Sequence, residues 1–259
     1  MYCGIDLGSR NVKIALMNGE TPAALYKFNT IEFYRERGRL EDGQLVLDLT
    51  GLPGLAGVEM GAVVATGYGR QAINMKNTRI IPEIKAHMLG AAYLTGEKNF
   101  TLLDLGGQDS KVALVRNGKM IDFMTNDKCA ASTGRYLENM AAVLGIDMEE
   151  LSRHHLNPVE LTSTCAIFGE TELIGKVVEG HSTDSLAAGV NYTIFKRIKP
   201  MLARLLGDRL VFTGGVAKND AICTILEREL NIPVVVPDHP DFAGALGCCA
   251  EALKEVETP

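Results

Sequence analysis

Hydrophobic and polar positions follow one pattern that occurs twice in the chain. Residues 5–17 (IDLGSRNVKIALM) and 103–115 (LDLGGQDSKVALV) each run from an apolar stretch ending in Asp, through a polar turn with glycine, into a second apolar stretch. Each copy then meets Asn-Gly, at residues 18–19 and 117–118, a dipeptide typical of tight hairpin turns. The repeat predicts a strand, a turn, a second strand and a second turn in each of two related halves.

Other apolar segments predict the elements that complete each half. The first half is expected to add a strand over 23–28, a buried strand at 61–66 and a helix over 82–95. The second half is expected to contain hairpins to about residue 125, two helices, and a strand, glycine turn, helix and strand over 209–237. Residues 30–60 are charged and then rich in Gly and Pro, and they predict no clear element.

Length and composition fit a folded protein of two domains. The chain has 259 residues, 46% hydrophobic and 22% charged, which is enough to bury a substantial core. The repeat gives a first domain over 1–98 and a second over 99–239. An apolar helix is expected over 242–256, and we expect the segment 240–259 to pack back on the first domain.

Charge and hydropathy exclude two classes of partner. The formal net charge of −6, without a run of lysine or arginine, argues against nucleic-acid binding. No segment approaches the ~20 apolar residues that a membrane-spanning helix needs, and the sequence starts directly with a strand instead of a signal-like segment. We therefore expect a cytoplasmic protein without a nucleic-acid or membrane partner.

The two repeated turns are suited to phosphate. Glycine at Gly8 in one turn, and at Gly106 and Gly107 in the other, lets backbone N–H groups approach phosphate oxygens, and Ser9 adds a hydroxyl. The carboxylates Asp6 and Asp104 can bind magnesium or its waters. The alternative is that both carboxylates only cap hairpin turns.

Lys13 and Lys111 occupy equivalent positions in the two copies. A long lysine side chain could reach back from its strand to a phosphate group. The alternative is a solvated lysine on an edge strand, and the sequence leaves both interpretations open.

A third glycine element supports a nucleotide site. In LVFTGGVAKN a strand is followed by Gly214 and Gly215, then by Val216, Asn219 and a helix that we expect to start near Lys218. The free N–H groups at such a helix start suit an anion or a ribose.

Two of the six cysteines stand out. Cys129 and Cys165 each follow capping-type residues and precede apolar positions at helical spacing, so each is expected near a helix N-terminus, where the dipole favours a thiolate. A 4Fe-4S cluster usually takes four cysteine thiolates, so a symmetric dimer would complete the set. The remaining cysteines are expected to act as small buried hydrophobes: Cys3, Cys223, Cys248 and Cys249.

Two histidine motifs suggest less. Glu83 and His87 stand four apart on one helical face, but two ligands make no metal site, so we expect a structural or cleft-lining role. His154 and His155 fall in a polar loop, where solvent exposure is expected.

Together, the turns at Asp6–Ser9, Asp104–Asp109 and Thr213–Val216 resemble the two phosphate loops and the adenosine loop of the acetate kinase, sugar kinase, Hsc70 and actin superfamily. The resemblance implies an α/β fold of two ribonuclease-H-like (actin-like ATPase) domains with a nucleotide cleft between them. It also implies Mg2+ near Asp6 and Asp104, with Gln108 or Asp109 orienting the attacking water.

Five segments, two of which contain turns already quoted, resemble the activators of 2-hydroxyacyl-CoA dehydratases and the related ATPase subunits of benzoyl-CoA reductase. They are ATGYGR at 65–70, LDLGGQDSK at 103–111, NDKCAASTGR at 126–135, STC at 163–165 and FTGGVAKN at 212–219. The resemblance implies an ATPase with one 4Fe-4S cluster bridging a homodimer, held by Cys129 and Cys165. Such a protein takes an electron from ferredoxin or flavodoxin and drives it, with ATP turnover, into an iron-sulfur dehydratase or reductase.

The sequence departs from this family in three places. Ser132 and Gly169 replace usual Gly and Ala, and residues 30–60, where the resemblance implies a helix, match poorly, so the first domain is expected to be trimmed or reshaped. Two other functions remain open. One is a small-molecule kinase of the same superfamily, phosphorylating a hydroxyl or carboxyl acceptor. The other is a regulatory ATP-binding module without chemistry.

Overall fold

The computed structural model describes residues 1–42, 44–49, 51–52, 61–67, 78–126, 133–162 and 166–256. Its chain forms two compact units. The first contains Met1–Glu97 and Phe242–Pro259, and the second contains Lys98–Asp241.

The elements of the first unit begin with a β-hairpin and a third strand. In chain order they are β1 (Tyr2–Leu7), β2 (Asn11–Asn18), β3 (Thr21–Asn29), α1 (Thr30–Arg37), β4 (Gly38–Glu41), β5 (Gln44–Leu47), β6 (Ala62–Gly67), β7 (Thr78–Ile80) and α2 (Glu83–Thr95).

The second unit also begins with three strands, which are followed by four helices and then by further strands and a helix. Its elements are β8 (Phe100–Leu105), β9 (Ser110–Arg116), β10 (Lys119–Thr125), α3 (Gly134–Leu144), α4 (Met148–Leu151), α5 (Ala166–Val178), α6 (Thr183–Leu205), β11 (Leu210–Thr213), α7 (Asp220–Leu230) and β12 (Val234–Val235). The last helix, α8 (Ala243–Val256), belongs to the first unit.

The two units contain the same mixed sheet. The strand order is β3-β2-β1-β6-β7 in one and β10-β9-β8-β11-β12 in the other. In each, the first three strands in chain order are antiparallel and the remaining two are parallel to the central strand. The register is also equivalent, because Asp6 pairs with Lys13 and Asp104 with Lys111. The sequence repeat is therefore a repeat of structure.

Glycines allow α8 to pack at backbone distance against α2 and β1. A Cβ at Gly90 would overlap the carbonyl of Ala243, and a Cβ at Gly247 would overlap that of Ala86. Gly4 on β1 is covered in the same way by α8. A larger residue at any of these positions would force the helix away from the sheet.

The other face of the first sheet is covered by residues between β3 and β6. Phe33 of α1 packs there with Leu47, Leu49 and Leu52, all buried. Residues 30–52 thus include a short helix and the β4–β5 hairpin. The residue pattern predicted no clear element there, although the family resemblance implied a helix. Asn29 caps α1 by accepting from the N–H groups of Ile31 and Glu32.

None of the helices described is long and apolar enough to cross a membrane.

Burial makes the thiols of the four described cysteines weaker acids than a free cysteine thiol. It raises the pKa of Cys3 and Cys223 to about 12, and it also raises the pKa of Cys248 and Cys249, from an ordinary value of 9.0. The unfolded chain therefore loses these protons first as the pH rises above 9.

We expect stability to fall between pH 9 and 12, by up to about 1.4 kcal/mol per pH unit for each fully buried thiol. The midpoint of urea unfolding, measured under reducing conditions from pH 8 to 10.5, checks this. Cys248→Ala removes one titrating group, so its slope above pH 9 should be shallower. An unchanged slope would contradict the assignment.

Candidate nucleotide site

Asp6 ends the apolar part of β1 as a buried carboxylate. Its Oδ2 lies 3.3 Å from Lys13 Nζ on the neighbouring strand β2. Within the described part of the chain its Oδ1 is buried and has no hydrogen-bond partner. A buried carboxylate oxygen without a partner is costly unless a cation or donor completes it. Magnesium prefers such oxygens, so this residue fits a magnesium site.

The turn after Asp6 has no room for a side chain at Gly8. A Cβ there would lie 2.7 Å from the carbonyl oxygen of Asn11. Thr30, the first residue of α1, donates from Oγ1 to the Gly8 carbonyl at 2.8 Å and fixes the turn. Ser9 is exposed at its tip. The turn can therefore present backbone and hydroxyl groups to an anion.

In the second unit, Asp104 is the equivalent buried carboxylate with more partners. Thr213, at the end of β11, donates from Oγ1 to Asp104 Oδ1 at 3.0 Å. Lys111 Nζ lies 3.5 Å from Asp104 Oδ2 and 2.7 Å from Asp109 Oδ2. One lysine thus bridges the two candidate carboxylates of this unit.

Lys13 and Lys111 are not solvated edge residues. Their side chains are 14% and 6% exposed, and they lie on β2 and β9, which have a neighbour on both sides. That alternative interpretation was wrong because sequence alone does not reveal which strand lies at a sheet edge.

The glycine turn after Asp104 is closed by its own backbone. Gly106 N–H donates to the carbonyl of Asp109 at 3.0 Å, and a Cβ at Gly106 would lie 2.8 Å from Asp109 Oδ1. Gly107 and Gln108 are half-buried in this turn. The predicted phosphate loop is therefore a compact turn in which a side chain at Gly106 would displace the Asp109 carboxylate.

The third glycine element lies beside this turn. Gly214 has φ of +90°, and a Cβ there would overlap the carbonyl of Leu105 and lie 3.0 Å from Asp104 Oδ1. Its N–H donates to the carbonyl of Pro240 at 2.9 Å. A Cβ added at Gly215 would meet open space, and Val216 lies close to Gly134. The second unit thus brings together the second and third predicted loops.

Asn219 has a structural role in the described residues. Its Oδ1 accepts from Ile222 N–H at 3.0 Å and caps α7, and its Nδ2 donates to Asn191 at 3.0 Å. The helix starts at Asp220, two residues after Lys218, and follows a 3-10 turn over Gly215–Lys218. Nucleotide contact by Asn219 stays a prediction.

Cys129 and Cys165 both lie outside the described residues, and so does Ser132. The helices that follow them are described: α3 begins at Gly134 and α5 at Ala166. No group of three or more potential metal ligands occurs in the described part of the chain. Their role as cluster ligands stays a prediction.

The start of α3 is bonded to the predicted phosphate loop. Gly134 N–H donates to the carbonyl of Gly106, and Arg135 N–H donates to that of Gly107, both at 3.1 Å. These donors are among the N–H groups that a helix leaves unsatisfied at its start. Sequence reasoning missed this contact, because nothing in the glycine pattern indicates which donors face those carbonyls.

The exposure of one of the two histidine motifs differs from the expectation. His154 is only 17% exposed at its side chain, and its Nε2 lies 3.0 Å from Glu150 Oε1. His155 is half-buried too, so the expected solvent exposure was wrong for both residues. His87 is buried on α2, with Nε2 3.9 Å from Glu83 Oε1.

Comparison with known proteins gives consistent matches along nearly the whole chain. The model of the "BadF/BadG/BcrA/BcrD ATPase family" matches residues 3–252. A 2-hydroxyisocaproyl-CoA dehydratase activator of Clostridioides difficile is 35% identical, over 98% of this chain and 95% of the relative. A solved structure of that kind of activator from Clostridium difficile, with bound ADPNP, is 32% identical with a TM-score of 0.82, covering 99% of this chain and 95% of the other.

A second solved structure agrees with the first. Component A of (R)-2-hydroxyglutaryl-CoA dehydratase from Acidaminococcus fermentans is 30% identical, with a TM-score of 0.81 and 99% of both chains covered. The predicted α/β class with actin-like ATPase sheets is confirmed by these matches and by the two mixed five-stranded sheets.

Proposed function

The chain belongs to the BadF/BadG/BcrA/BcrD ATPase family, and from this premise we propose that it hydrolyses ATP to drive a low-potential electron into a dehydratase-like partner enzyme. The relatives support the general activity, because their names describe dehydratase activators, and one solved relative holds ADPNP. In this proposal the two units are the two ribonuclease-H-like domains.

The described residues supply the nucleotide part of the reaction. Asp6 and Asp104 hold Mg2+ or its waters, and the turns at Gly8–Ser9 and Gly106–Gly107 bind phosphate oxygens. Lys13 and Lys111 neutralise the two buried carboxylates until the ion and phosphate arrive. The loop Gly214–Val216 contacts the adenosine.

The attacking water is oriented by Gln108 or Asp109. Asp109 already engages Lys111 at 2.7 Å through Oδ2, so one lone pair of that oxygen is occupied by the ammonium group. Gln108 follows the two loop glycines and can both donate to and accept from a water, so it is the preferred candidate of the two.

The observation that carries the coupling is the bonding of α3 to the phosphate loop. Gly134 and Arg135 donate to the loop carbonyls of Gly106 and Gly107. Gly134 is five positions after Cys129 in the sequence, so a shift of the loop on ATP turnover moves the helix that follows this cysteine. Coupling through a bonded helix is a common form of switching.

Cys129 and Cys165 are the proposed ligands of one 4Fe-4S cluster that bridges a homodimer, two thiolates from each chain. When bound, such a cluster supplies one-electron transfer at low potential. In this proposal reduced ferredoxin or flavodoxin is the donor, and an iron-sulfur dehydratase or reductase is the acceptor. The activated partner enzyme is a 2-hydroxyacyl-CoA dehydratase or a relative of one.

We expect about four iron and about four acid-labile sulfide per dimer in protein purified without oxygen. Chemical analysis with the visible spectrum measures this, and size-exclusion chromatography with light scattering gives the dimer. Absence of iron after anaerobic reconstitution would contradict the proposal. Phosphorylation of an added acceptor by iron-free protein would instead support the kinase alternative.

A further inference from the structure

His87 lies beside Asp6 in the first unit, although its sequence context suggested only a structural or cleft-lining role. The residue is 4% exposed. A Cβ placed on Gly244 would lie 3.0 Å from His87 Nε2 and 2.9 Å from Asp6 Oδ2. The imidazole and the carboxylate therefore border the same small space at the first turn of α8.

The position of His87 is fixed by the close pairing of α2 and α8. Gly90 and Gly247 bring the two helix backbones into contact on either side of this turn. Gly244 carries no side chain, which leaves the space that Asp6 and His87 share. The helix pair thus holds the imidazole and the carboxylate at the two sides of this space, both close to Gly244.

The orientation of the Asp6 carboxylate must be fixed if one of its oxygens is to face a metal ion. Its Oδ2 is on the side of Lys13, at 3.3 Å, while its Oδ1 is the buried oxygen without a partner in the described residues. A carboxylate held at one oxygen by a single flexible lysine can still rotate about its terminal bond, because that torsion has a broad minimum. A rigid neighbour on a helix restricts this rotation.

We propose that His87 is a positioning residue for Asp6: with the first turn of α8, it holds the carboxylate plane so that Oδ1 stays directed to magnesium. This inference rests on the proposed magnesium role of Asp6. A positioning group of this kind contributes through the geometry of the ligand that it supports.

The test compares His87→Ala and His87→Gln with the wild-type chain. The readout is the Mg2+ concentration that gives half of the thermal stabilisation by ADP, which needs no turnover. We expect His87→Ala to raise this concentration about tenfold, the usual effect of losing one supporting interaction. His87→Gln keeps a side-chain N–H and should recover most of the loss. ATP hydrolysis should show a lower kcat with little change in KM.

A matched control exists in the second unit. His154 also lies four residues after a glutamate that it contacts, so His154→Ala removes a similar pair away from Asp6. Its magnesium dependence should equal that of the wild type. Gly244→Ala would place a methyl group against both Asp6 and His87, and it should weaken magnesium binding in the same direction.

Equal magnesium dependence in His87→Ala and His154→Ala would overturn the inference. So would a loss of ADP binding in EDTA as large as the loss with Mg2+, since that would be a general loss of structure. Wild-type protein without magnesium-dependent stabilisation by ADP would overturn both this inference and the magnesium role of Asp6. Missing iron would overturn the proposed electron transfer alone.

Discussion

Cys129→Ser and Cys165→Ser should each yield colourless protein that still binds ATP. Each substitution removes two of four proposed ligands from the dimer, because both chains carry it, and a serine hydroxyl is a poor iron ligand. We expect iron to fall from about four per dimer to near zero and ATP-driven electron transfer to fall at least about a hundredfold. Iron analysis, the visible spectrum and reduction of the partner enzyme measure the two effects.

Cys223→Ser is the matched control for these variants. Cys223 is half-buried on α7, donates weakly to the carbonyl of Ala217, and has a raised pKa caused mainly by burial, so it does not suit a metal. Its serine variant should keep the iron. Retained iron in both proposed ligand variants would overturn the ligand assignment, whereas loss of ATP binding in them would indicate a damaged fold.

Asp104→Asn should have the opposite effect. Asparagine keeps the volume of this buried residue but removes the charge that lies beside Lys111 and that would face magnesium. We expect ATP hydrolysis to fall by about two to three orders of magnitude, the size of effect seen when an electrostatic group is removed from a reacting centre. The iron content should stay unchanged, because the cysteines are untouched.

The control for this variant is Asp122→Asn, on the exposed face of β10. Phosphate release under saturating MgATP gives the rate, and iron analysis of the same preparations gives the cluster content. Hydrolysis within a few-fold of the wild type in Asp104→Asn would exclude a role for this carboxylate in the reaction.

Local sequence patterns predicted most of the strands and helices that precede and follow the two repeated turns. The helix expected over 82–95 is α2 (Glu83–Thr95), and the strand expected over 210–213 is β11. Apolar periodicity and glycine turns act over a few residues, so the sequence displays them directly. The pairing of Asp6 with Lys13 and of Asp104 with Lys111 follows from the same hairpins.

Tertiary contacts decided what the sequence did not reveal. The apolar residues of 30–52 that reach the core are few and separated by charges, so neither α1 nor the β4–β5 hairpin has a clear period. Thr213 and Asp104 are bonded although they lie 109 positions apart. The burial of Lys111, the hydrogen bond from Arg135 to the loop and the approach of His87 and Asp6 to Gly244 also depend on the assembled sheets and helices.

The discontinuity of the first unit sets an order of events during protein synthesis. A nascent chain that has emerged as far as residue 241 contains every strand of both sheets, and the second unit is complete in it. The first unit, although made earlier, still lacks α8, whose Ala245, Leu246 and Cys249 cover the sheet around Ala15 and Met17. The apolar face of the first sheet therefore stays exposed until α8 has been synthesised. During this period the exposed surface can bind chaperones or aggregate.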